Sequence, residues 1–306
     1  MSQPFERLDE KTRTVWRLYN SLAQLRDHSA SLHDIEGGHR IERWIGDSWV
    51  GRDFKDVDEL MNGVNVLHKP TMDRFEACKD LLGKLDFPRP ESIRRRPRYD
   101  DSVGSLCIPH YIQGDYDRLY TNIKKVKRVG GSKTVVVASP VNVSGGNKAD
   151  DVQWRAAAGA ALVSLLHEAG YGVEYWIYFN GHRFNRRSGI QKPWNMEWAC
   201  QIKSLDAPPN WITIANAASC WMFRTMYFSL YAHKDPRIGG AGEGLGCPQY
   251  RWNDLQFVKD KIAQGRPVIS VELGGRNSGC PHRFTEQGAV DAVTEAMTDY
   301  VNNETK

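Results

Sequence analysis

Nothing in these 306 residues completes a catalytic or metal-binding signature. No CxxC pair, GxSxG elbow or HExxH helix occurs, and the Gly-containing loop SPVNVSGGNK, just before a helix, fits neither GxGxxG nor GxxxxGK[ST]. The six cysteines (Cys78, Cys107, Cys200, Cys220, Cys247, Cys280) are widely scattered, which points to free, mostly buried thiols in a reducing compartment. His233, Cys247, Cys280 and His282 lie in late loops, but they lack the tight ligand pairs of structural zinc, so unliganded side chains are expected. The polar start MSQPFERLDEKTR has no apolar secretory core. The most apolar run, Trp211 to Ala232, is interrupted by Asn216 and Arg224. A central Arg costs about 2.5–3.5 kcal/mol on insertion scales, so a buried helix is expected there and no membrane span. A cytoplasmic protein without a cofactor is the expectation, and no repeat of fixed period is found.

What is present is an ordinary globular composition, 41% hydrophobic and 25% charged, with a net charge of +4. Rings are plentiful: 10 Trp, 12 Tyr and 10 Phe. Such rings fill cores, but they also stack on bases and anchor interfaces.

The stretch Thr134 to Asn180 makes the fold class readable. A run of Val135, Val136 and Val137 ends in a loop, and an Ala-rich helix from about Asp150 to Ala169 follows. Gly170 stops the helix before a second strand, Val173–Phe179. A near-continuous Val strand is buried on both faces, as in the middle of a parallel sheet. Trp194 to Leu205 reads as a further strand, antiparallel at the sheet edge. Asn210 is placed to cap the apolar helix, and Val268–Leu273 is another apolar strand. Helices are expected at Lys11–Ser31, Asp56–Gly63 (capped by Asp56 or Asp53), Thr71–Leu85, Asn253–Gln264 and Thr285–Asn302. Residues 1–100 are expected to form a helical N-terminal region, and 101–306 an α/β domain.

The loop Pro140-Val141-Asn142-Val143-Ser144 resembles the cation-binding strand end of von Willebrand factor A-like domains, Asp-x-Ser-x-Ser. Glu272-Leu273-Gly274 stands where that family has Thr-Asp-Gly. The resemblance implies a three-layer, Rossmann-like, mostly parallel sheet over roughly Lys133 to the C-terminus. It also implies a degenerate metal site, since only Ser144 keeps the family's residue type. The segments WIGDSWVGRDF, SLCIPHYIQGDYD and HEAGYGVEYW resemble uncharacterised proteins of tailed bacteriophages, which implies a role inside the host cell.

Basic residues interleaved with rings carry the functional expectation. Arg94, Arg95, Arg96 and Arg98 form one cluster. Lys124, Lys125, Lys127 and Arg128 form a second, and Arg183, Phe184, Arg186, Arg187, Lys192 and Trp194 a third. Arginines neutralise phosphates, and rings stack on unpaired bases for about 1–3 kcal/mol each. The reading is a non-enzymatic protein that binds single-stranded nucleic acid and assists transcription or replication, with a polymerase or another protein as a further partner. A metal-independent protein-interaction module and an unrecognised hydrolase stand beside it. For the hydrolase, Glu174 and Glu197 are the candidate carboxylate pair, and His167-Glu168 reads as a polar helix end.

Overall fold

A computed structural model describes residues 4–33, 57–84, 98–100, 105–106, 120–122, 133–143, 147–181, 195–227, 256–274 and 280–304. The chain divides into two compact units, one of residues 1–88 with 134–306 and one of residues 89–133.

The large unit begins with two strands, β1 (Phe5–Asp9) and β2 (Thr14–Tyr19), joined by a turn at Glu10–Arg13. Asp9 Oδ1 accepts the backbone N–H groups of Lys11 and Thr12 in that turn. A helix was expected from Lys11, but helix α1 starts only at Leu22 (Leu22–His33). Val15 and Tyr19 are four apart, which fits both a helix turn and one face of a strand. The strand is buried on both faces, with Trp16 and Leu18 opposite Val15 and Tyr19, so it shows no apolar alternation, and it also carries Arg17. Arg17 is buried between Val15 and Tyr19, and its Nε donates to Glu6 Oε2 at 2.8 Å.

Two further helices, α2 (Val57–Gly63) and α3 (Lys69–Leu82), follow as expected. Pro70 stands in the first turn of α3, where a missing N–H costs nothing. The caps proposed at Asp53 and Asp56 lie outside the described residues.

The 89–133 unit contains a small antiparallel sheet of β3 (Arg98–Asp100), β4 (Ser105–Leu106) and β5 (Tyr120–Asn122), with β5 in the centre.

Back in the large unit, β6 (Thr134–Pro140) leads to α4 (Ala149–Glu168) and β7 (Gly172–Gly181). Then come β8 (Asn195–Lys203), α5 (Trp211–Ala217), α6 (Cys220–Met222) and a π-helical turn at Phe223–Tyr227. The chain closes with α7 (Gln256–Ala263), β9 (Val268–Ser270), the short pair β10 (Leu273–Gly274) and β11 (His282–Arg283), and α8 (Glu286–Glu304).

The result is an α/β fold with a six-stranded mixed sheet in the order β1-β2-β8-β7-β6-β9. β6 lies between parallel β7 and parallel β9, as its Val run predicts. β8 is antiparallel to β7, as expected, but it is not an edge strand, because β2 pairs with its other side in parallel.

The expected helix over Trp211–Ala232 is also broken. Asn210 caps α5 by accepting from Thr213 N. At Ser219 the chain restarts: its hydroxyl accepts from Met222 N and caps a new turn. Asn216, buried in α5, donates to the carbonyls of Val64 and Val66 at 3.0 Å, so it staples the end of α2.

The main core lies on one face of the sheet. There Val135, Val137, Val173, Tyr175 and Phe179 meet apolar residues of α3, α4, α5 and α8. The other face carries Trp16, Val136, Trp176 and Tyr178, with Ile262 of α7 packed against them. α4 sits very close to the sheet. A Cβ on Gly159 would come within 2.7 Å of Ser139 Oγ and 2.9 Å of Tyr175 Oη. Gly159→Ala gains helix propensity but overpacks this contact. It is expected to lower stability by about 1–3 kcal/mol in urea denaturation; an unchanged or raised midpoint contradicts the close seating.

Candidate nucleic-acid interface

The 89–133 unit holds eleven Lys and Arg against five Asp and Glu, a net charge of +6. The whole chain carries +4, so the remaining residues carry −2. The net positive charge of this protein therefore resides in one 45-residue unit that also contains four tyrosines.

The register of the small sheet adds a geometric fact. Arg98, the first residue of β3, is paired with Asn122, the last residue of β5. Arg94–Arg96 precede β3 and Lys124–Lys127 follow β5 in the chain. Two basic runs separated by more than twenty residues are thus attached to the same end of one antiparallel ladder. Arg98 is the one predicted contact residue within the described residues. Arg94, Arg95, Arg96, Lys124, Lys125, Lys127, Arg183, Phe184, Arg186, Arg187 and Trp194 all lie outside them, as do Arg128 and Lys192. The third cluster belongs by sequence to the large unit, at the connection between β7 and β8.

The large unit has its own concentration of buried polar groups, at the carboxyl ends of β6 and β7. Asn142 acts as an extra rung of the sheet. Its Nδ2 donates to Asn180 O at 2.7 Å, and its Oδ1 accepts from Asn180 N at 3.2 Å. Arg155 of α4 is fully buried, with no carboxylate within ion-pair distance among the described residues. It donates to the carbonyls of Asn142 and Val141, the latter at 2.9 Å, and lies 5.4 Å from the centre of the Phe284 ring. Burial lowers its pKa to about 10, which still leaves it a cation. Arg224, also buried, donates to Asn147 O at 2.7 Å. Two guanidinium groups therefore hold the backbone on either side of the β6–α4 loop. Both oppose the effect of burial on the Cys220 thiol, but burial prevails and raises its pKa to about 11. Sequence reading missed Arg155. Its signal was a lone Arg inside the small-residue run WRAAAGAA.

The carboxylate pair is corrected by register. Glu197 stands opposite Asn180, near the end of β7, whereas Glu174 lies near its start, so the two are far apart along the strand. Both are buried rather than solvent-facing. Glu174 takes a bidentate grip from Arg266 at 2.8 and 3.1 Å, and Trp176 Nε1 donates to it. Among the described residues Glu197 Oε2 has no hydrogen-bond partner, and burial raises the Glu197 pKa to about 8. The His167-Glu168 end of α4 is structural, as expected: Glu168 pairs with Lys79 at 2.7 Å, and His167 meets the Trp211 ring edge.

Cys78, Cys200 and Cys220 are free and buried, and Cys280 is half-buried. His282 is engaged with Glu295. His233 and Cys247 lie outside the described residues. Among the described residues, no three His, Cys, Asp or Glu side chains group as metal ligands, and no helix is long and apolar enough to cross a membrane.

The fold and these sites define an α/β protein with a mixed sheet and a basic inserted unit. The family described as a domain of unknown function (DUF7192) matches residues 7–269, and the chain belongs to it. That match connects the chain neither to von Willebrand factor A-like domains nor to the phage proteins its segments resemble. No curated protein and no solved structure matches the chain.

Glu197 yields a pH prediction. In the folded protein its proton is held to about pH 8, whereas an unfolded Glu releases it near pH 4.3. The unfolded state thus binds fewer protons between those values, so stability falls as pH rises through that window and levels off above it. The expected loss is of order a few kcal/mol. Urea denaturation of the wild type between pH 5 and 8 should show it, and Glu197→Gln should remove most of it. Parallel pH profiles for the two proteins contradict the assignment.

Proposed function

We propose that this protein binds single-stranded nucleic acid without catalysing a reaction on it, and that the 89–133 unit is its main contact. The observation that carries this reading is the charge partition: +6 in 45 residues, with the rest of the chain slightly acidic. A chain divided in this way presents its positive field locally, and phosphate contacts release condensed counterions. The β3–β5 register supports it, because Arg98, the end of the first basic run, pairs with Asn122, which lies two residues before Lys124 in the chain. Tyrosines in the same unit supply stacking surfaces, which favours unpaired bases. Arg183, Phe184, Arg186, Arg187 and Trp194 form a second contact in this reading. The setting is a host-cell cytoplasm, and the role is assistance to transcription or replication, with a polymerase or similar protein as a second partner.

A second reading has its own support. Where the resemblance to von Willebrand factor A-like domains places a divalent cation, the Val141 and Asn142 carbonyls face the Arg155 guanidinium. The element order from β6 onward resembles that family's strand, helix, strand, edge strand, helix, strand and helix in part, although the strand in the edge position, β8, lies inside this sheet and more than one helix separates it from β9. This suits a protein-interaction module whose loop is held by a built-in cation and needs no metal.

Fluorescence anisotropy with a labelled oligothymidylate separates the two readings. Binding is expected at low salt, with an affinity that falls steeply as salt rises, by about 0.7 in log–log slope per phosphate neutralised. Replacing Lys124, Lys125 and Lys127 with Ala should weaken binding at least tenfold and flatten that slope. The triple change Arg183→Ala, Arg186→Ala, Arg187→Ala should have a smaller effect. An absence of binding at low salt removes the nucleic-acid reading and leaves the interaction module.

A further inference from the structure

A cavity of about 430 Å³ opens in the large unit at the carboxyl ends of the parallel neighbours β2 and β8. It is bounded by the β2–α1 connection, the end of α2, the residues that follow β8, and the start of α5. Its size is within the range of small-molecule sites, and the carboxyl ends of strands are where open α/β sheets receive ligands.

The chemistry of its lining is one-sided. Four carboxamides, those of Asn20, Asn62, Asn65 and Gln201, line it, with no Asp, Glu, Lys or His among them. The hydroxyls of Ser21, Ser204 and Thr213 add further donors and acceptors. Among the described residues Arg26 is the one charged lining residue, and its Nε and Nη2 both donate to Asp27 Oδ1, at 2.9 and 2.8 Å. The start of α1 offers little to an anion. Ser21 Oγ accepts from Gln24 N, and Gln24 Oε1 accepts from Asn20 N, a reciprocal cap that already uses two of the donors there. The cavity is therefore close to neutral. Thr213 Oγ1 donates to Asn65 Oδ1 at 2.7 Å and fixes that amide. The carboxamides of Asn20, Asn62 and Gln201 have no protein partner among the described residues. Leu22, Met61 and Ile202 supply apolar wall between them.

A carboxamide presents a donor and an acceptor in one plane. Its complement is a flat ligand edge with an adjacent acceptor and donor, and the edge of a nucleobase is such a group. Aliphatic walls suit the faces of that ring. We propose that this cavity binds an uncharged nucleobase, either of a free nucleoside or of an unpaired nucleotide in a strand. The lining comes from residues of the large unit, and this site does not depend on the nucleic-acid reading.

Isothermal titration of the whole protein with adenosine, guanosine, cytidine and uridine, each to millimolar concentration, tests it. At least one is expected to give a saturable, one-site isotherm. Gln201→Leu and Asn62→Leu should each weaken it about tenfold or more, the loss expected for one bidentate amide pair. Ala207→Trp, which fills the cavity without removing an amide, should abolish it while thermal unfolding stays cooperative. An oligothymidylate that displaces the bound nucleoside, with the same dependence on Gln201, identifies a strand base as the source. Failure to displace identifies the free nucleoside. No saturable binding of any of the four, or binding indifferent to all three substitutions, overturns the proposal. Loss of oligonucleotide binding on changing Lys124, Lys125 and Lys127 bears only on the basic unit.

Discussion

The seating of α4 against β6 and β7 is the constraint on which the rest of the large unit depends. A helix with Ala156, Ala157, Gly159 and Ala160 buried can approach a sheet far more closely than one with branched side chains. That closeness brings the Arg155 guanidinium within reach of the Val141 and Asn142 carbonyls. It also leaves room beyond α4 for α3 and α8, which pack against the same main core. Enlarging the residue at Gly159 would push against the Ser139 and Tyr175 side chains, and the displacement would be transmitted to the loop that Arg155 holds.

Arg155 shows how a buried charge can be used without an ion pair. Moving a guanidinium out of water is costly unless its donors are satisfied. Here the acceptors are backbone carbonyls that would otherwise be orphaned beyond the last rung of the sheet. Two of its nitrogens are satisfied in this way, while Nε is buried with no hydrogen-bond partner among the described residues, so part of the desolvation cost is left uncompensated. Asn142 in turn satisfies the backbone of Asn180. With Arg224 on the far side of the loop, the connection between β6 and α4 is held by side chains that come from α4 itself and from the π-helical turn after α6.

Period was easiest to read where burial on both faces was complete. The Val run of β6, the Ala-rich α4 and the strand β7 follow from residue type alone, and the family of strands and helices after them was largely placed. Reading failed where a polar residue sat on a buried face. β2 is buried on both faces and carries Arg17 on one of them, so it shows no alternation and looked like part of a helix. That error carried over to β8, because without β2 there was nothing to cover its outer side. Ser219 and Asn216 broke an apolar helix through hydrogen bonds that hydropathy does not register. Glu174 and Glu197 looked like one pair because spacing in sequence says nothing about register. The basic clusters were legible as charge, but not their assignment: the division at Pro88 and Thr134 puts two of them in one unit and the third in the other.

That division has an energetic logic. The 89–133 unit is inserted between α3 and β6, two elements of the large unit's main core. Loop-closure entropy rises only logarithmically with length, so an insertion of this size costs the host fold about 1–2 kcal/mol more than a short connection. A concentrated positive charge within a packed α/β core would carry a far larger desolvation cost and would repel itself. Confined to an insertion, the charge is free to differ in sign from its host. The large unit can then keep a nearly neutral cavity lined with carboxamides, since its own sequence carries a slight excess of acid and, among the described residues, only one charged lining residue, Arg26.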